Sequence, residues 1–489
     1  MKGILFLLFI FCGQLFGQGI SNRWVFGYSC CAGNFGATDL DFNSGAVNIV
    51  LKQRYMDFYE TNGIISDQNG NLLFASNGIY VANALDDTML NGTGINPSAY
   101  TTIMISNGLA LPQGNIVIPF PDDSTKYYLF HETIDYLSNI NVSLYLYYSV
   151  IDMTLDGGLG AVVQKNTILL TDSLIPGRLT ACKHANGRDW WLVVHQYNSG
   201  MVYKYLVTPQ GISNPVNQDL FTARDISFGQ NLFSPQGDKF AYYEPYNDLD
   251  IFSFDRCTGD FSNFTHIDIN DSAGIGGAAF SASGRYLYIS SLNYIYQFDV
   301  QSSNIDSSKV VVGVYDGYQE QGLYQNFYLS ALAPDGKIYI NCGDGSKYFH
   351  VINSPDSAGL ACNFVQRGLP LPRWNAFTIP NYPNYFLGAD GGTVCDSLPT
   401  DISDITEPIE AFSVFPNPVR DLLFVNHSTK EPVREISIVN SLGQMETIQF
   451  TSLNNDQYLQ IDLSGFASGV YYVQMRTEKN VVSRKILKE

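Results

Sequence analysis

"FSPQGDKFAYY" occupies residues 233–243, and the chain writes close relatives of it three more times. "FSASGRYLYIS" spans 280–290, "LAPDGKIYI" spans 332–340 and "KHANGRDWWLVV" spans 183–194. Each copy is a short apolar strand, a turn holding glycine, and a second strand rich in Tyr, Phe, Ile or Val. That pattern specifies a β-hairpin. A third strand often follows, as "LDIFSFD", "YIYQFDV" and "YFHVIN". A fourth, less regular strand precedes the next copy. Four strands and a return make the unit of a β-propeller blade.

The period agrees. The turn glycines Gly187, Gly237, Gly284 and Gly336 stand 50, 47 and 52 residues apart. Helical solenoids have mostly shorter repeats and a 3.6-residue periodicity. Two more hairpins lie upstream, "GIISDQNGNLLFAS" at 63–76 and "NIVIPFPDDSTKYYLFHE" at 115–132. A seventh unit is expected from the two ends. "RWVFGYS", "TDLDFN" and "AVNIVLK" lack an innermost strand, and "NAFTIPNYPNYFLG" at 375–388 has no partners after it. Placing the late strand inside the early three closes the ring and hides strand edges that invite aggregation. Seven blades of about 50 residues need about 350, and residues 20–390 suffice, with six blades the alternative. The expected fold is all-β, a seven-bladed β-propeller of the WD40/YVTN-like kind.

This stretch resembles a family of large exported propeller proteins that accompany the type IX secretion system. The resemblance rests on "TDLDFNSG", "ISDQNGNLLF", "MLNGTG", "LYYSVIDMTLDGGLGAVVQKN", "LTACKHANGRDWWLVVH", "FSPQGDKFAYY", "APDGKIYI" and "IPNYPNYF". Two places depart from the family pattern, "LFASNG" for the usual "LFYTDG" and "SASG" without Pro-Asp. The resemblance brings no catalytic residues with it.

Residues 391–411, "GGTVCDSLPTDISDITEPIEA", are rich in Gly, Pro and acids and read as a linker. From 412 to 489 follow short alternating segments, among them "EISIVN" and "VYYVQM", that fit a small immunoglobulin-like β-sandwich. Their motifs resemble the type A C-terminal sorting domain of type IX cargo. "FPNPVRD" holds Pro416, Asn417, Pro418 and Asp421, "IVNSLGQ" holds Gly443, and "IDLSGFASGVYYVQM" holds Gly469 and Tyr471. The basic end "SRKILK" completes the match. The resemblance implies the type IX secretion machinery as a partner. It also implies passage across the outer membrane and then release or anchoring at the surface.

Composition bounds the rest. Of 489 residues, 45% are hydrophobic and 14% aromatic, which suits half-buried strands. Lys plus Arg total 27 against 46 Asp plus Glu, a net charge of −19. Such a field repels phosphate backbones, so no nucleic-acid partner is expected. "MKGILFLLFIFCGQLFGQG", residues 1–19, has Lys2, an apolar run and small residues near its end, the form of a signal peptide. That run is too short to span a bilayer, and no integral membrane segment is expected. Cys12 leaves with it, and Cys30, Cys31, Cys182, Cys257, Cys342, Cys362 and Cys395 remain. An exported chain can form disulfides, but an odd count leaves one thiol over.

No hydrolase elbow, zincin helix or phosphate loop occurs. No cofactor, metal or catalytic residue is therefore expected. His184 and His195 flank one hairpin, His195 about opposite Thr180, and are expected to form a polar network within a blade. "HIDINDSAG" at 266–274 misses the calcium-loop spacing and is expected to be a polar turn. Two inter-blade loops, "RYMDFYETNG" at 54–63 and "YDGYQEQGLYQNFY" at 315–328, mix aromatics with acids and amides. Together with "RGLPLPRWN" at 367–375 they supply stacking faces and hydrogen-bonding groups. The expected ligand site is Tyr318, Glu320, Gln321, Tyr324, Arg373 and Trp374. The expected function is a secreted or surface-bound interaction module for an extracellular glycan or protein. The competing reading is a propeller lyase, hydrolase or lactonase, which requires an acid pair or metal at the channel mouth.

Overall fold

The computed structural model describes residues 19–29, 34–137, 140–220, 228–396, 413–426, 435–440, 445–448, 450–453, 458–476 and 481–489. The expected signal sequence up to residue 18, Cys30, Cys31 and Gly443 lie outside them. The chain divides into two compact units, Met1–Leu398 and Pro399–Glu489.

Among the described residues, seven antiparallel sheets of three or more strands follow one another along the first unit. Sheet one is Arg23–Tyr28, Gly36–Asp41 and Asn48–Lys52, and sheet two is Gly63–Ser66, Leu72–Ser76 and Val81–Asn83. Sheet three runs Asn115–Phe120, Asp123–Glu132, Ile140–Asp152 and Ala161–Leu174, and sheet four opens with Thr180–Lys183, Trp190–His195 and Met201–Thr208. Sheet five is Gln230–Phe233, Lys239–Glu244, Asp248–Phe254 and Phe261–Ile267. Sheet six is Gly277–Phe280, Tyr286–Ser291, Tyr294–Asp299 and Val310–Val314. Sheet seven is Phe327–Leu332, Ile338–Cys342, Ser346–Ile352 and Phe364–Asn375. The repeated phrase builds the two inner strands of sheets four to seven, as in a propeller.

Alternation along one strand explains why the sheets stand face to face. In Lys239–Glu244, Phe240 and Tyr242 join a cluster with Trp191 and Val193 of the preceding sheet. Ala241 and Tyr243 turn the other way, to Ala278 and Leu287 of the following sheet. Each strand is therefore buried on both faces. A fully buried Phe contributes about 1.5–3 kcal/mol. Sheet seven closes on sheet one: Phe26 and Phe349 lie 5.4 Å apart, and the Trp374 amide donates to the Asn34 carbonyl at 3.0 Å.

The closing strand expected at 375–388 does not form. Among the described residues the segment beyond Asn375 has no strand pairing, and Arg23–Tyr28 pairs only with Gly36–Asp41. Pro380 and Pro383 have no N–H to give a ladder. The segment does reach the inner side of sheet one, where Tyr382 lies 6.1 Å from Trp24. It then runs along the axis of the ring. Asn381 donates through its side chain to the carbonyls of Asn115 (2.8 Å) and Leu179 (3.1 Å), and through its amide to Asn62 (2.9 Å). The Tyr382 hydroxyl donates to Leu332, that of Tyr385 to Val117, and Asn384 to Pro235. One strand-less segment thus ties sheets two to five and sheet seven together.

The segment enters on the face that carries the loops between sheets, here called the upper face. It leaves among the glycine turns of the lower face. There Gly187 has φ +72°, and a Cβ on it would stand 2.5 Å from the Ala389 nitrogen. Cys395 then forms a disulfide with Cys257, so the start of the expected linker is tied to the ring, while residues 397–411 of it lie outside the described residues. Cys182, Cys342 and Cys362 are buried thiols.

In the second unit the described residues form two four-stranded sheets, built on Ser413–Phe415, Leu422–Asn426, Tyr458–Asp462 and Phe450–Leu453, and on Met445–Thr447, Glu435–Asn440, Gly469–Arg476 and Val481–Lys488. Leu423, Val425, Ile438, Ile461, Val473 and Ile486 fill the space between them. Asn417 clasps the last strand: it donates to the Lys485 carbonyl at 3.0 Å and accepts from the Leu487 amide at 2.8 Å. Val419 extends the clasp by donating to the Leu487 carbonyl, the Asp421 carbonyl accepts from the Leu463 amide elsewhere in the unit, and the Tyr471 hydroxyl donates to Ala467.

Candidate functional site

The loop joining sheets six and seven folds into a hairpin, Gln319–Glu320 against Leu323–Tyr324. Its turn, Gln321 and Gly322, takes φ values of +53° and +85°. Tyr318 and Tyr324 are 40% and 51% exposed. The hairpin is anchored at both ends. The Tyr324 amide donates to Asp344 at 2.9 Å, and the Tyr315 hydroxyl donates to the Tyr318 carbonyl. Arg367 pairs with Asp316 at 2.5 Å and lays its guanidinium 4.5 Å from the Tyr318 ring centre. Glu320 faces Tyr348, whose hydroxyl is held above the usual range by burial and then by Glu320 and Tyr318.

Trp374 is only 6% exposed and lies beneath this hairpin rather than beside it. A Cβ on Gly345 would stand 3.8 Å from the Trp374 ring and 3.9 Å from Leu323, so the indole and the hairpin meet over that glycine. The Lys347 ammonium lies 5.7 Å from the Trp374 ring centre. Arg373 points to sheet one, where a Cβ on Gly36 would lie 3.7 Å from its Nε. The expected six residues therefore occupy one region, but only the hairpin residues present rings to solvent.

Aromatics continue around the upper face. Tyr28 and Phe35 lie 5.6 Å apart, Tyr59 and Phe377 4.8 Å, and Tyr100 and Tyr136 6.1 Å. Tyr59 belongs to the loop at 54–63 singled out by its sequence. Arg54, 1% exposed, anchors that loop through Asp39 at 2.8 Å and Asp86 at 2.5 Å.

Under these loops the channel holds buried polar groups that composition gave no reason to suspect. The Tyr328 hydroxyl donates to Glu60 at 2.9 Å, and the Gly177 amide donates to Glu132 at 3.0 Å. Arg178 donates to the Gly229 carbonyl at 2.7 Å. Burial pushes the Glu60 carboxyl up to about 7 and the Glu132 carboxyl up to about 8, against the opposing pull of their hydrogen bonds and of Arg178. Both side chains are buried. On the lower side the axial segment, together with Phe233, Ala282, Leu332 and Pro334, lines a cavity of about 260 Å³.

The two histidines are internal. His184 Nε2 lies 3.0 Å from the Cys257 carbonyl, and the Asn186 amide donates to its Nδ1 at 3.1 Å. Thr180 pairs with Val193, so His195 falls two residues past the position expected opposite Thr180. His195 packs 4.7 Å from Tyr242, and burial lowers its imidazole to about 3. In the segment at 266–274, His266 and Asp268 approach Asp248, and their ligand atoms lie within 4.8 Å of one another.

Residues 413–489 match the family described as "Secretion system C-terminal sorting domain". The chain is therefore type IX secretion cargo, exported to the cell surface or extracellular space. No curated protein matches the chain. Among solved structures it is similar to a candidate 6-phosphogluconolactonase of Bacteroides fragilis NCTC 9343, with 12% identity, 72% of this chain and 96% of that chain covered, and a TM-score of 0.39. A candidate 6-phosphogluconolactonase of Bacteroides uniformis ATCC 8492 gives 15%, 68%, 92% and 0.37 in the same order. A gluconolactonase of Xanthomonas campestris gives 14%, 65%, 94% and 0.31. Among the described residues no helix is long and apolar enough to cross a membrane.

Proposed function

We propose that this exported propeller is a binding module for an extracellular glycan, engaged through the hairpin on its upper face. The observation that carries this reading is the pair of exposed rings, Tyr318 and Tyr324, on an anchored hairpin. A fixed ring offers a flat apolar face to a sugar without losing side-chain freedom on binding. Arg367 and Asp316, held together beside Tyr318, supply donors and acceptors for hydroxyls. Glu60 and Glu132 are the carboxylates of the channel region, each near Arg178, but both are buried.

The test is binding of the mature chain to a panel of bacterial and host polysaccharides and to surface proteins. Removing an aromatic from such a contact costs on the order of 1–3 kcal/mol, about a tenfold to hundredfold loss. Tyr318→Ala and Tyr324→Ala are each expected to weaken glycan binding by that factor with an unchanged melting temperature. Glycan binding undiminished in the double variant, or binding to a protein alone, overturns the reading.

A further inference from the structure

The geometry points to a divalent transition-metal site of the zinc type on the upper edge of sheet five, formed by His266, Asp268 and Asp248. The ladder between Asp248–Phe254 and Phe261–Ile267 sets it up. Asp250 pairs with His266 and Leu249 with Ile267, so continuing the register places Asp268 across from Asp248. Side chains two apart share a face of a strand. Asp248, Asp250, His266 and Asp268 therefore converge on one face, at its end.

The imidazole is already oriented for a metal. Asp250 is 1% exposed, and its Oδ1 lies 2.7 Å from His266 Nδ1. That buried carboxylate holds the ring by its Nδ1 edge and turns Nε2 toward Asp268, the arrangement that orients metal-binding histidines from behind. Nε2 stands 3.2 Å from Asp268 Oδ1. Ligand atoms around a tetrahedral zinc, with bonds of about 2.0–2.1 Å, lie about 3.3 Å apart. Asp248 is also held, since its Oδ1 accepts from the amides of Ile269 at 2.9 Å and Asn270 at 3.2 Å.

Charge favours the same occupant. Three carboxylates crowd one imidazole, and a bound dication offsets their repulsion. The nitrogen ligand selects zinc, nickel or copper over calcium, which takes oxygen. His266 and Asp268 are 37% and 68% exposed, so an ion enters from solvent and keeps one position for water. The polar turn expected at 266–274 thus carries two of the three ligands.

The experiment is calorimetric titration of the chelator-treated mature chain with zinc chloride alone, with a thermal melt at each end point. One saturable site is expected, with a zinc-dependent rise in melting temperature. His266→Ala and Asp268→Ala are expected to abolish both, and Asp250→Asn to weaken zinc about tenfold to a hundredfold. Asp268→Ala alters an exposed side chain, so its fold is expected to survive even where the histidine variant does not. Absence of binding by the parent chain, equal zinc affinity in folded Asp268→Ala, or calcium bound more tightly than zinc each overturns the assignment.

Discussion

Gln113 donates to the side chain of Asn381 at 3.2 Å although 268 residues separate them. The same Gln113 side chain accepts from the Asn231 amide at 2.9 Å. Inner strands from distant repeats are thereby joined through the axial segment, where no ladder is available to join them.

Asn381→Leu should test that joint. It removes donors to two buried carbonyls and an acceptor for Gln113, and each unsatisfied group costs about 1–3 kcal/mol. A lower urea midpoint is expected, equivalent to about 2–4 kcal/mol. A midpoint equal to the parent's would mean that the axial segment does not stabilise the ring.

Cys395→Ser removes the covalent tie to Cys257. Loss of a native disulfide costs about 2–5 kcal/mol. The expected outcome is a lower unfolding midpoint under oxidising conditions, and parent and variant should coincide once both are reduced.

Trp374→Ala should destabilise the ring by about 3–5 kcal/mol, the usual cost of truncating a buried aromatic. The sequence places Trp374 in the expected ligand site, as a ring that would meet a ligand at the surface. A melting temperature within a degree or so of the parent's would restore that view.

Stability should fall between about pH 6.5 and 8. Glu60 and Glu132 have folded values of about 7 and about 8, above those of the unfolded chain. The folded state therefore holds protons that the unfolded state has lost, and each such group removes about 1.4 kcal/mol per pH unit while this lasts. Buried His131, His195 and His350, lowered by burial to about 3, act oppositely below their unfolded value of about 6.5. Their contribution is lost as the pH falls. Glu132→Gln should flatten the decline above pH 6.5 in urea titrations, and an unchanged slope would count against this assignment.

Asn417→Ala breaks the clasp on the final strand of the sorting domain. Fractionation should find the variant retained in the periplasm, as it should a chain lacking residues 412–489. Normal amounts of either outside the cell would dissociate this domain from export.

What could be read in advance divides along physical lines. The hairpin phrases were legible because a strand buried on both faces needs alternating apolar residues and a glycine turn, and both are local. The sorting domain was legible because Asn417, Gly469 and Tyr471 stand in ordered motifs. The end of the ring was misread: 375–388 has strand-like aromatics, yet Pro380 and Pro383 already argued against a ladder. Trp374 was misplaced because loop membership does not report depth. Asp248, eighteen residues before the start of the motif at 266–274, joins it only through cross-strand register. Glu60 lies in the loop at 54–63 singled out for its aromatics and acids and Glu132 ends an ordinary strand, but only the fold buries both and brings Arg178 near them.

The bond between Cys257 and Cys395 also decides where tension goes. A pull on the tail passes from Cys395 to Cys257, into the turn before Phe261–Ile267, and bypasses the axial segment. The intervening loop, spanning a separation of 138 residues, cannot lengthen while the bond is intact. At about 3.4 Å per residue, roughly 470 Å of contour is withheld. Cargo dragged by its sorting domain, or tethered by its tail in flowing medium, thus carries the load on a covalent shortcut.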